Sequence, residues 1–209
     1  MKIEQSKPLV ICITMSATRI LSLKERLALS SVNHKVQILK EPTFKDAHSY
    51  CVANGVSGQQ FGPLLEHFLI NKFKYTKSSA SLCIGDCSKD GVNTEVKASL
   101  GGSKHNEFNY VQIRPSHKIN SYMLTAYYLS KENVEAGGDL YVFRVPKVDM
   151  CSIILNHGGY AHGTNSEHGR ISLESLQDPT SKKEYAIRPS FGDACWRDLL
   201  KFRITEEDL

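Results

Sequence analysis

The chain has 209 residues, 41% hydrophobic and 23% charged, which excludes wholesale disorder and allows a buried core without disulfide help. Lys and Arg number 26 against 22 Asp and Glu, and this mild excess of +4 permits a nucleic-acid partner without demanding one. No apolar run approaches the roughly 20 residues that cross a bilayer, so no membrane partner is expected.

The chain reads as one domain over residues 1–209. It shows no charged n-region followed by a long apolar h-region, so no secretory signal is expected. The six cysteines (Cys12, Cys51, Cys83, Cys87, Cys151 and Cys195) are then read as free thiols inside the cell. Cys83 and Cys87 stand four apart, but no second close pair completes a tetrahedral zinc site.

Residues 7–16, KPLVICITMS, form a β-rich apolar run, and 17–32 space Ile20, Leu21, Leu23, Leu27 and Leu29 as a helix could. Residues 33–54 read as a strand at VQIL and irregular connections around Pro42. After Ser57, a capping residue, Phe61, Leu64, Leu65, Phe68, Leu69 and Phe73 recur at helical spacing, which predicts a helix over 59–75 that must accommodate Pro63. SLCIGDC and NTEVKASL flank Asp90-Gly91, a dipeptide that favours positive φ, and so predict a hairpin. Three further strand-like runs follow: FNYVQIR, SYMLTAYYLS and DLYVFRVP. Residues 148–176, with their glycines and histidines, read as a surface loop, and CWRDLLKFRI as a short terminal helix or strand. The fold class this predicts is α/β, a central mixed sheet of about five strands flanked by helices, with the hairpin at its centre.

That hairpin carries the chemistry. Asp86 ends one strand, while Glu95 and Lys97 stand two apart on the next and share a face, with Val96 turned to the buried side. Glu-x-Lys by itself is more often the mark of a solvated hairpin, since the spacing recurs by chance. The acid upstream, the apolar residue between and the preceding amphipathic helix set this copy apart. Two converging carboxylates repel unless a cation lies between them, and oxygen ligands favour a hard ion such as Mg²⁺. A lysine beside that ion can orient or deprotonate water and stabilise charge on a phosphate, a set suited to metal-assisted phosphodiester hydrolysis.

In order and type, Asp86, Glu95 and Lys97 resemble the motif of the PD-(D/E)xK nucleases, and residues 57–146 are similar to a run seen in small type II restriction endonucleases. Gly85 stands where that signature has proline. The resemblance implies a restriction-endonuclease-like fold in a prokaryotic cytoplasm and Mg²⁺-dependent, sequence-specific hydrolysis of double-stranded DNA by a homodimer. It implies catalytic roles for Asp86, Glu95, Lys97 and Gln112, with Asp86, Glu95 and Glu66 on the metal. A DNA-repair nickase, a junction-resolving nuclease or a non-catalytic DNA-binding module of the same fold stays open as an alternative.

DNA contacts are expected from 101–118 and 156–170, where glycines or a proline break regular structure and polar side chains can reach phosphates or base edges. The candidates are Lys104, His105, Asn109, Arg114, His117 and Lys118, then His157, His162 and Arg170. A histidine-based nuclease built on Asn156, His157, His162 and His168 is a rival reading, disfavoured because spacings of five and six do not gather ligands on one helical face.

Overall fold

The computed structural model describes residues 62–63, 66, 69–70, 73–79, 83–101, 107–128, 139–163 and 168–204. The elements expected in 7–54 lie outside the described residues, as do Lys104 and His105.

Two sheets organise these residues. The larger is mixed and six-stranded, in the order β1 (Thr76–Lys77), β2 (Cys87–Lys89), β3 (Val92–Gly101), β5 (Ser121–Tyr128), β6 (Asp139–Pro146) and β9 (Arg203–Ile204). The β3–β5 pair is parallel and every other pair antiparallel. The smaller sheet joins β4 (Tyr110–Ile113), β8 (Tyr185–Ile187) and β7 (Gly159–Tyr160), all antiparallel. Helices α1 (Lys147–His157), α2 (Leu173–Gln177) and α3 (Ala194–Leu200) complete the framework.

The Asp90-Gly91 turn forms as its residues dictate. Asp90 (φ 51°) and Gly91 (φ 77°) both take left-handed backbone, and Lys89 faces Val92 across a two-residue loop. β3 and β5 then occupy the two middle places of the sheet. In β5 the first seven residues are buried irrespective of alternation, as a strand covered on both faces requires.

Register assigns the faces. Glu95 lies beside Tyr122 and Lys97 beside Leu124, and these in turn lie beside Val145 and Phe143 on β6. Glu95 and Lys97 therefore share the face on which α1, α3 and the smaller sheet build the main core, where Phe108, Phe191 and Trp196 pack with centroids 4.7 to 5.3 Å apart. Val96 and Met123 point the other way.

Three expectations are corrected. Residues 148–176 are not one surface loop, because Met150, Cys151, Ile153 and Ile154 recur at helical spacing and bury one face of α1, with Pro146 as its N-cap. The helix expected over 59–75 ends early: Gly62, Pro63, Glu66, Leu69 and Ile70 are helical, Phe73 and Lys74 form a turn, and Thr76 is already strand. Lys74 has φ 56°, which no helix continues through. β1 and β9 have two residues each, too few for alternation to show, so the sheet has six strands where about five were expected. The terminal run supplies both a helix, α3, and a strand, β9.

Candidate catalytic site

The site begins where the hairpin stops being regular. β2 pairs with β3 through Cys87–Thr94, but the Asp86 N–H reaches back to the Thr94 carbonyl at 2.9 Å, so the chain leaves the ladder there. The Asp86 carboxylate then takes the place of the next ladder acceptor, and the Val96 N–H donates to its Oδ2 at 2.7 Å. One acid is thus fixed against the strand that carries the other two groups.

Gly85 makes this departure possible. Its φ is +85°, and a Cβ there would lie 2.6 Å from the Thr94 carbonyl oxygen and 3.0 Å from Ile119 Cγ2. Proline, whose ring holds φ near −65°, cannot take this backbone. The glycine in place of proline therefore has a local cause: this chain turns into its acid through a left-handed residue.

On β3, Lys97 Nζ lies 2.7 Å from Glu95 Oε1, with both side chains largely buried. Glu66 approaches from the helical segment and holds Lys77 of β1 at 3.7 Å. The acids influence one another's titration. Burial, then the Asp86 charge, raises the Glu66 carboxyl above its ordinary range. Burial, then Glu95, raises Asp86, with the Val96 N–H acting against it. Cys87, beside the same acids, is pushed up to about 12, chiefly by burial.

Glu66, Asp86 and Glu95 offer oxygen only, in a partly buried place where negative charge is undercompensated. This suits a hard divalent cation. The described residues hold no preformed group of three His, Cys, Asp or Glu close enough to cage a metal. The fit therefore rests on a carboxylate pair, the nearby Glu66, and water or substrate oxygens, a coordination style that Mg²⁺ accepts.

The rim comes from the loop between β4 and β5. The Lys118 N–H donates to the Cys83 carbonyl, the Asn120 N–H to Asn93, and Asn93 returns bonds to Asn120 Oδ1 and the Lys118 carbonyl. His117 and Lys118 are thereby tied next to the Gly85–Asp86 turn. Lys147, at the start of α1, anchors them through its Nζ on the His117 carbonyl at 2.8 Å and its N–H on Asn120. Neither Lys147 nor Asn120 was legible as a site residue, since their importance lies in backbone contacts.

The other candidates are dispersed. Gln112 is exposed in β4 with φ 54°, at an irregularity where three steps of β4 match two of β8, the geometry of a bulge that re-aims a side chain. The Asn109 N–H is tied to Ser99 on β3, two residues past Lys97. Arg114 donates to Glu184 from both Nε and Nη2, and His162 lies 3.8 Å from the same carboxylate. His157 shares a 2.8 Å hydrogen bond with Asp198, joining α1 to α3. Arg170 is exposed. His157, His162 and His168 face different partners, His168 lying against Tyr160, so the histidine-based site does not assemble.

Compared with known proteins, the chain matches no protein-family model, no curated sequence and no solved structure. Among the described residues, no helix is long and apolar enough to cross a membrane.

Proposed function

We propose that the protein is a metal-dependent nuclease with a restriction-endonuclease-like fold, a type II site-specific enzyme that hydrolyses phosphodiester bonds in duplex DNA. The observation that carries this reading is the placement of Asp86 against the strand that bears Glu95 and Lys97, at one irregular point of a central hairpin, with the Asp86 carboxyl raised by burial and then by Glu95.

Asp86 and Glu95, with Glu66 nearby, would hold a divalent cation, expected to be Mg²⁺, which when bound polarises a phosphate oxygen. The chain's own groups do the rest. The hydrogen bond from Val96 N–H keeps Asp86 pointed at β3. Glu95 holds the Lys97 ammonium in place, and that ammonium orients the attacking water and offsets charge gathering on the phosphate. His117 and Lys118, on the loop tied to Cys83 and Asn93, seat the strand by its phosphates. A homodimer would place one such site on each strand of a two-fold symmetric target.

The test is digestion of a sequenced genome in Mg²⁺ followed by sequencing of the fragment ends. A shared short motif at the ends supports site-specific restriction. Nicks alone, or cuts only at branched DNA, transfer the site to the repair or junction-resolving reading. No cleavage of any DNA rejects the catalytic assignment.

A further inference from the structure

At the far end of α1, 11 residues and so about 16 Å along the helix from Lys147, the chain opens a cleft of about 800 Å³. Its walls include Leu155, Asn156, Gly159, Tyr160, Arg170 and Ile171. That volume lies within the range of small-ligand pockets.

The chemistry of the walls is mixed in a particular way. Leu155 is 43% exposed and lines the cleft together with Ile171, so the wall offers apolar surface to a flat ring. Asn156 can donate and accept, and Arg170 donates only and carries charge. Arg170 is exposed on this wall, and its charge favours an anion there. A flat ring with donors and acceptors on its edge, joined to an anion, is the chemistry of a nucleotide.

We propose that this cleft binds one nucleotide unit, its base against Leu155 and Ile171 and its phosphate on Arg170. The inference rests on the nuclease reading only in naming DNA as a source of that unit; a free nucleotide offers the same chemistry. Gly159 leaves open space at the cleft wall. A Cβ at Gly159, a cleft-lining residue, meets no atom within 4 Å, so a side chain there starts from open space at the cleft wall.

The experiment is calorimetric titration of the full chain, without divalent ions, with dAMP, dGMP, dCMP and dTMP. At least one should bind saturably. Arg170→Ala should weaken that binding by about tenfold or more through loss of a charge-assisted contact. Gly159→Leu should abolish it while circular dichroism stays unchanged, and Glu95→Gln should leave it intact. Absence of binding by all four, or binding undiminished in both cleft variants, overturns the proposal. Duplexes with one unpaired nucleotide, compared with an abasic residue there, identify the source. Tighter binding of the unpaired base makes a DNA strand the occupant, and equal binding makes it the free nucleotide. Mg²⁺-dependent cleavage, measured on the same preparations, separates the two readings: cleavage without nucleotide binding rejects the cleft alone, and nucleotide binding without cleavage rejects the catalytic site alone.

Discussion

Replacing Gly85 by alanine tests how tightly the backbone dictates the position of Asp86. The new Cβ would sit 2.6 Å from the Thr94 carbonyl oxygen and 2.8 Å from its carbon, backbone atoms of the central strand that cannot step aside as a flexible side chain would. Two costs add: about 1–2 kcal/mol for a non-glycine residue at φ +85°, and about 1–3 kcal/mol for overlap in a packed place. Gly91→Ala separates them, because Gly91 is also left-handed (φ 77°) but a Cβ there meets nothing within 4 Å. Urea unfolding should therefore show Gly91→Ala losing about 1–2 kcal/mol and Gly85→Ala about 2–5 kcal/mol. The larger loss should come with a fall in cleavage, since relief of the overlap moves Asp86 away from Val96. Equal stability losses in the two variants, or a Gly85→Pro protein of normal stability and activity, would refute the reasoning.

Without divalent ions, the raised Asp86 and Glu66 carboxyls bind more protons folded than unfolded between their ordinary and raised pKa values. Stability should therefore fall as pH rises through that window and stay lower above it, and Asp86→Asn should flatten the slope in urea titrations at successive pH values. Mg²⁺ at ten times its dissociation constant should stabilise the protein by about 1.4 kcal/mol in thermal unfolding, an increment lost in Asp86→Asn. Arg114→Ala and Glu184→Ala should lower stability to a similar degree, about 1 kcal/mol or less, with DNA affinity in Ca²⁺ unchanged, because each removes the same half-exposed ion pair. A drop in affinity confined to Arg114→Ala would return Arg114 to the DNA surface. Light scattering should report a dimer, and a monomer bound one to one on a short specific duplex would remove the symmetric mode of cutting.

What the sequence disclosed followed from how local each signal is. Asp90-Gly91 fixes its own turn, the turn fixes the β2–β3 register, and period two then puts Glu95 and Lys97 on one face, so that part was legible from a dozen residues. Their environment was not. That they share the face carrying the main core depends on β5 and β6 arriving in register from residues 121 to 146. α1 was hidden by composition, because the glycines and histidines after residue 156 drew the whole stretch toward a loop. The apolar spacing of Met150, Cys151, Ile153 and Ile154 was available to reveal it. Arg114 and His157 illustrate a different limit: a charged residue in a polar segment reads as a ligand contact until the fold supplies Glu184 or Asp198 from 70 or 41 residues away.

The central claim, that Asp86, Glu95 and Lys97 form one catalytic unit, is tested most directly by single-turnover cleavage of a linear duplex in Mg²⁺. Wild type would be compared with Asp86→Ala, Glu95→Ala and Lys97→Ala, with Asp90→Ala as control and binding measured in parallel in Ca²⁺. The account predicts that each of the three abolishes cleavage while leaving DNA affinity largely intact, and that Asp90→Ala, altering only a turn residue, still cuts. Retained cleavage in any of the three, or loss in Asp90→Ala alone, would contradict it.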